Sequence, residues 1–402
     1  MIHDYDEFLS SKGATQQDFF QPLPIYEEGN PWYDETNPQV TRKQIQLMKS
    51  YGIDYVIYDS YWEWKNGKNR WGPYSNRVLE NFVSLPDDES INFSIFWANR
   101  FTSLVLDLER NRNNPNGCDG FLSTGGGLEQ MAKYWGKFLQ DPRYEKIDGK
   151  PVFYIYYPGV ISEKRYGAPE DVLGKYSNNI HGICDACAIH NFFPKELQSD
   201  NERTRYFLQR FSALLRKYAN NTFDEVYFVG VINAFNKAFP NEQDYWLIQH
   251  PEAIGLDAIT SYGYKYFDKQ DMEIGRAGKY SYKTMQKVYR KYYRLLLEKG
   301  KVNYQVPVTV GWNRAPFHKY EGKGTAENWF RAWPQDNARS EPQEFLVSLR
   351  EAKNQVQNHP QKTDQRVIVC CWNEYAEGSF IEPSKAWGYQ FLEAIQEVFE
   401  SP

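Results

Sequence analysis

The stretch Arg366-Val-Ile-Val-Cys-Cys-Trp-Asn-Glu-Tyr-Ala-Glu-Gly378 opens as a short apolar run and ends on two carboxylates three positions apart. A continuous apolar run of this length reads as a strand buried on both faces, the form strands take in a parallel sheet covered by helices. Toward the N-terminus the same kind of run recurs at residues 306–312, 258–262, 225–232, 151–157, 91–97 and 54–59. Stretches with helical spacing lie among them at 40–51, 128–139, 203–219, 282–299, 342–358 and 388–399. Seven such strand–helix units in one chain predict an α/β fold, a (β/α)8 TIM-type barrel rather than an open doubly wound sheet. No GxGxxG follows the first run, which argues against a dinucleotide-binding domain.

An eighth strand is expected ahead of Val40, where the chain offers only Asp18-Phe-Phe-Gln-Pro-Leu-Pro-Ile25. Two prolines there disfavour a central strand, so the first strand is either irregular or missing from the chain. No linker, low-complexity stretch or repeat divides the sequence, and residues 1–402 are expected to form one barrel domain.

Composition bounds the partners. The 47 basic and 52 acidic residues give a net charge of −5, so no basic surface points to nucleic acid or to an anionic membrane as a general partner. No apolar run approaches the ~20 residues of a membrane span, and the opening Met-Ile-His-Asp-Tyr-Asp-Glu-Phe lacks the basic start and apolar stretch of a secretory signal. Localisation stays open. The 31 Tyr and 12 Trp stand out in a chain that is 17% aromatic. Rings with an apolar face and a polar edge suit the C–H faces and hydroxyl rims of sugars, although core packing accounts for the same number.

Metal and nucleophile signatures are weak. Cys184 and Cys187 make a lone CxxC with no second pair to complete a zinc site, and the six histidines are scattered. Gly125-Gly-Gly127 lacks the Lys-Ser/Thr of a phosphate loop, and no GxSxG is present. No metal and no cofactor are expected.

In a barrel of this kind the site gathers at the C-terminal ends of the strands. The residues standing there are Tyr58, Asp59 and Trp62, then Trp97, Asn99 and Arg100, then Tyr156, Asn233 and Tyr262. The last two strands add Trp312 and Asn313, then Trp372, Asn373, Glu374 and Glu377, with Glu382 just beyond. Tyr58 and Trp97 read equally well as packing residues. The glutamate pair is harder to explain that way. If the segment turns helically, residues three apart face one side with Cβ atoms about 5–6 Å apart. Two carboxylates sharing a site repel, which raises one pKa and leaves a proton donor at neutral pH. Glycoside cleavage needs that pairing, one acid on the leaving oxygen and one base or nucleophile.

The chain resembles the WbsX-like proteins, which are related to the family 99 glycoside hydrolases. The segments that carry the resemblance are Trp32-Tyr-Asp-Glu-Thr-Asn-Pro38, Gly52 through Trp62, Phe93 through Asn99, Asp141-Pro-Arg-Tyr144 and Asp148-Gly-Lys-Pro-Val152. Val308-Thr-Val-Gly-Trp312 and Trp372-Asn-Glu-Tyr-Ala-Glu-Gly378 follow, with Glu382-Pro383 and Gly388-Tyr389, and the Trp-Asn-Glu unit is the most specific. The resemblance implies a (β/α)8 barrel acting on glycans by a retaining cleavage in which the sugar's own 2-hydroxyl attacks. It implies Glu374 as the base on that hydroxyl and Glu377 as the acid/base at the leaving oxygen. The chain departs from the hydrolases at Ala376, where they carry a nearby histidine, and from WbsX-like proteins at Asn313, where aspartate is common.

The expected function is hydrolysis of a poly- or oligosaccharide by two carboxylates. A polysaccharide-biosynthesis glycosyltransferase is one alternative, although no DxD-like nucleotide site stands at a strand end. A non-catalytic glycan-binding barrel that keeps the aromatic cleft is the other.

Overall fold

Alternate side chains along the central strands sort into two separate cores, and that sorting organises the molecule. The computed structural model describes residues 22–65, 70–74, 76–98, 127–156, 194, 196–197, 200–232, 250–264, 266–276, 280–312 and 338–400. In chain order its strands are β1 (Tyr55–Lys65), β2 (Arg70–Tyr74), β3 (Asn92–Trp97), β4 (Lys146–Ile147), β5 (Lys150–Tyr156) and β6 (Tyr227–Val231). They continue with β7 (Ala258–Thr260), β8 (Asn303–Tyr304), β9 (Val306–Thr309), β10 (Val367–Cys370), β11 (Asn373–Glu374) and β12 (Ser379–Phe380).

Strands β1, β3, β5, β6, β7 and β8 lie side by side and parallel, and β9 pairs with β10 in the same sense. Gln305 joins β8 to β9 and donates its own N–H to Ile259 at 3.0 Å. Residues 303–309 therefore act as one strand that serves β7 first and β10 next. The result is a run of seven parallel strands in chain order with helices between them, the layout of a TIM-type (β/α)8 barrel. Of the stretch 18–25 that offered the expected first strand, residues 18–21 lie outside the described residues, and residues 22–25 form no strand, Pro22 making only an isolated bridge to Ser384.

Ile95, Trp97, Phe153, Ile155, Phe228, Ile259, Val306 and Val308 face outward into a core shared with the helices. Phe96, Val152, Tyr154, Tyr227, Val229, Val231 and Ala258 form the second core inside the sheet, with Ile57, Tyr156 and Tyr262 packed against it. Because both faces are buried, the strands read as unbroken apolar runs rather than alternating ones.

Helix boundaries follow local chemistry. Helix Pro38–Ser50 starts where Asn37 accepts from the Gln39 N–H, with proline in the first turn, and buries Val40, Thr41, Gln44, Ile45 and Met48. Helix Tyr282–Lys299 is capped by Ser281, and helix Pro342–Asn358 by a Glu341/Glu344 capping box. β1 runs past its expected end at Asp59 and folds back on β2, pairing Tyr61 with Tyr74 through Lys65 with Arg70.

The N-terminal end of the sheet holds a polar floor. Tyr55 and Tyr154 share a hydroxyl contact of 3.2 Å, and Tyr154 donates to Gln305 at 2.7 Å. Gln305 and Tyr227 in turn donate to Asp364, each at 3.0 Å. These buried polar groups satisfy one another, so they fix strand positions at the end away from the strands' C-termini. Among the described residues no helix is long and apolar enough to cross a membrane.

Candidate active site

β10 delivers the chain to the C-terminal end of the sheet. The Cys370–Cys371 peptide bond there is cis, and the two sulfurs are bonded. Beyond Trp372 the chain forms a tight hairpin in which β11 pairs antiparallel with β12, Asn373 opposite Phe380 and Glu374 opposite Ser379. The turn between them, Tyr375–Glu377, is a 3-10 helix that Gly378 ends in the left-handed region at φ 62°. The expected helical turn is therefore a tighter one. Glu374 ends β11 just before this turn, and Glu377 is the turn's last residue.

Both glutamates are half-buried. Tyr262, just past β7, donates from its hydroxyl to Glu377 Oε2 at 2.9 Å. Burial, followed by the charges of Glu377, Glu374 and Asp59, holds the Tyr262 phenol well above its ordinary range. The charges of three carboxylates from two ends of the chain thus act on one phenol, which hydrogen-bonds to Glu377. Tyr61 donates to Asp59 Oδ2 at 3.2 Å. Tyr156 belongs to the inward side as well, its ring edge-on to Phe96 at 6.0 Å.

A second carboxylate centre lies behind the hairpin. Glu382 is only 1% exposed. Its Oε2 accepts from Tyr33 at 2.7 Å and Tyr375 at 2.8 Å, and its Oε1 from Trp372 at 3.1 Å and Gln44 at 3.2 Å. Burial outweighs those donors and holds its carboxyl above the usual range. Glu382 is thus not a substrate contact, contrary to the sequence expectation. It ties Trp372 and Tyr375 to the loop before helix Pro38–Ser50. Asn373 joins the same loop, donating from Nδ2 to Glu35 at 2.7 Å and to Tyr33 at 3.2 Å. Burial raises the Glu35 carboxyl despite that bond.

Other expected cleft residues need correction. Tyr58 and Trp62 sit on the outward side of β1, because side chains alternate along a strand and Asp59 takes the inward side. Tyr58 packs on Phe82 at 5.3 Å, and Trp62 on Trp135 at 6.0 Å. Trp97 likewise packs between Trp135 at 5.9 Å and Phe211 at 5.8 Å in the helical layer. Trp312 is buried in that same core. Trp372 is half-buried, with its indole N–H committed to Glu382. Asn99, Arg100, Asn233 and Asn313 lie outside the described residues.

Tyr33, Glu35 and Tyr61 were missed as partners of this region. Tyr33 and Glu35 lie in the aromatic-acidic run just before the Asn37 cap, which was a usable signal; Tyr61 had none beyond its place after Asp59. Among the described residues no group of three or more His, Cys, Asp or Glu side chains is arranged to hold a metal ion.

A family model described as "Glycosyltransferase WbsX" matches residues 17–168 and 198–395. No curated protein matches the chain in sequence. A solved glycoside hydrolase-like protein superposes with a TM-score of 0.56 at 13% identity, over 97% of this chain and 92% of its own, a likeness of fold. The GH99 endo-alpha-mannosidase from Bacteroides thetaiotaomicron superposes more loosely, with a TM-score of 0.43 at 12% identity over 92% of this chain and 80% of that one. The catalytic domain of beta-amylase from Paenibacillus polymyxa does so with a TM-score of 0.42 at 12% identity, over 91% of this chain and 96% of that one.

Proposed function

Because the chain belongs to the glycosyltransferase WbsX family, a family of glycan-active proteins, we propose that it is a glycoside hydrolase of a poly- or oligosaccharide with Glu374 and Glu377 as its reacting pair. The observation that carries this reading is the hydrogen bond from the Tyr262 phenol to Glu377, in the 3-10 turn that directly follows Glu374 beyond the C-terminal end of β10. Glycosidic cleavage needs a proton delivered to the leaving oxygen and a second carboxylate at the sugar.

In this reading Glu377 gives its proton to the departing oxygen while Glu374 takes the proton of the sugar's 2-hydroxyl. O2 then bonds to the anomeric carbon as the glycosidic bond breaks. Water reopens that ring, with Glu377 accepting the water proton and Glu374 returning its proton to O2, so the configuration is retained. Tyr262 fixes the rotation of the Glu377 carboxyl by holding one of its oxygens. Asp59 and Tyr156 are proposed to line the sugar site, with Asn99, Arg100, Asn233 and Asn313 contributing from the neighbouring strand ends.

The family's description favours a second reading, in which a sugar hydroxyl replaces water as the acceptor. Incubation with a panel of polysaccharides, with and without nucleotide sugars, separates the two by product analysis. Shortened chains with no nucleotide requirement are expected. Product formed only with a nucleotide sugar would establish transfer instead, and binding without any product would indicate a glycan-binding barrel.

A further inference from the structure

We propose that Arg339 is a positioning residue that clamps the Glu374–Glu377 hairpin in its reactive pose. The inference rests on the reading of Glu377 as the acid/base.

The hairpin is short. β11 and β12 have two residues each, and a ladder of that length does not hold its own shape in water. Its tip is closed by the Gly378 N–H on the Tyr375 carbonyl at 3.0 Å and its base by the Ile381 and Glu382 N–H groups on the Cys371 and Trp372 carbonyls at 3.0 Å each, so what is held from outside is the Gly378 and Phe380 carbonyls of the returning limb. Arg339 does this with both arms of its guanidinium: Nη1 donates to the Gly378 carbonyl and Nη2 to the Phe380 carbonyl, the latter at 2.8 Å. The cation lies over the Phe380 ring at 3.9 Å and the Trp387 ring at 4.7 Å. Burial pushes its pKa down to about 9. A planar fork is required to reach two carbonyls at once while stacking on a ring, and an ammonium group cannot do it.

The anchor itself is rigid. Ala338 exchanges backbone hydrogen bonds with Trp312 at 3.0 and 3.2 Å, and the Ser340 N–H reaches Val310 at 2.8 Å. This strip lies directly on Gly311, whose φ is +101° and where a Cβ would come within 2.0 Å of the Ala338 carbonyl oxygen and 2.7 Å of Arg339 Cα. Glycine at 311 thus lets the Arg339 backbone sit against the end of β9. From there the guanidinium reaches under the carbonyls that follow Glu377. The position of the acid/base is in this way referred to β9 as well as to its own strand, β10.

The test uses the full chain carrying Arg339→Ala, Arg339→Lys or Gly311→Ala. Hydrogen–deuterium exchange of the peptide covering 372–382 reads the clamp without any need for activity. About tenfold faster exchange there is expected in all three variants, with core strands unchanged. On the glycan that wild type cleaves, kcat should fall on the order of 10–100-fold with KM within about twofold, because small misplacements of a reacting group act on the chemical step. Millimolar methylguanidinium should restore part of the kcat of Arg339→Ala and none of that lost in Arg339→Lys. Unchanged exchange of 372–382 in the folded variants, or a kcat equal to wild type, would overturn the proposal. If Arg339→Ala does not fold, the lysine and Gly311 variants decide it. A wild type that cleaves no glycan defeats the hydrolase reading alone, and the exchange result still decides the clamp.

Discussion

Replacing Glu382 by glutamine keeps the side-chain volume and removes one acceptor oxygen. The wild-type carboxyl receives four donors, from Tyr33, Tyr375, Trp372 and Gln44, in a position 1% exposed. The amide oxygen can serve two of them, and the amide nitrogen then confronts the other two. A buried donor left without an acceptor costs about 1–3 kcal/mol, so two of them cost about 2–6. Relief from burying a carboxylate offsets part of this, and a net loss of about 2–4 kcal/mol remains. For a chain of 402 residues that corresponds to a fall in Tm of about 2–5 °C.

The pH dependence has a definite sign. The folded carboxyl lies above its ordinary value of 4.5, so the folded state binds the proton more tightly than the unfolded state. The stability it contributes is complete below that ordinary value and declines as pH rises through the folded pKa. Thermal unfolding of wild type and Glu382→Gln at matched concentrations from pH 4 to pH 8 should show a gap that narrows upward. Equal Tm values throughout, or a gap that widens with pH, would refute the account of Glu382 as a buried four-donor hub.

Tyr262→Phe removes the donor on Glu377 and should lower kcat/KM about 10–100-fold, equivalent to the ~1.5–3 kcal/mol of a hydrogen bond to a charged group, as steady-state kinetics would record. The native phenol titrates well above its ordinary range, so it should stay protonated where an ordinary tyrosine ionises. Wild type and Tyr262→Phe should therefore share the same alkaline limb in their pH–rate profiles. Trp97→Ala should behave as a core lesion, losing about 3–5 kcal/mol in urea unfolding, because the indole packs on Trp135, Phe207 and Phe211 rather than on substrate.

The barrel was legible because its strands are buried on both sides. Runs such as Val152-Phe-Tyr-Ile155 leave no polar position to confuse the period, and helices such as Tyr282–Lys299 carry their caps in the sequence. That same double burial hid which face each residue takes. Tyr58 and Asp59 are neighbours within β1, yet the first goes to the helices and the second to the inside. No apolar period separates them, so reading every polar or aromatic residue near a strand end as cleft lining overreached at Tyr58, Trp62, Trp97 and Trp312. Glu382 was misplaced for a different reason. A carboxylate shortly after two others invites a shared role, whereas two of its four donors come from residues 33 and 44, more than 300 positions away in sequence. Arg339 left no trace either, because its hydrogen-bond partners are backbone carbonyls, which have no residue identity to read.

The central claim is that Glu377 supplies the proton and Glu374 removes one. It is tested most directly by comparing Glu377→Gln and Glu374→Gln on the native glycan and on an activated aryl glycoside of the same sugar. General-acid help matters in proportion to the proton the leaving oxygen requires. Glu377→Gln should therefore lose on the order of 10²–10⁴-fold on the glycan and be largely spared on the aryl glycoside. Glu374→Gln should lose a similar factor on both, since the base is needed whichever group departs. Small and equal losses for both variants on both substrates would contradict the assignment and move the chemistry away from this turn, with Asp59 the next carboxylate to replace.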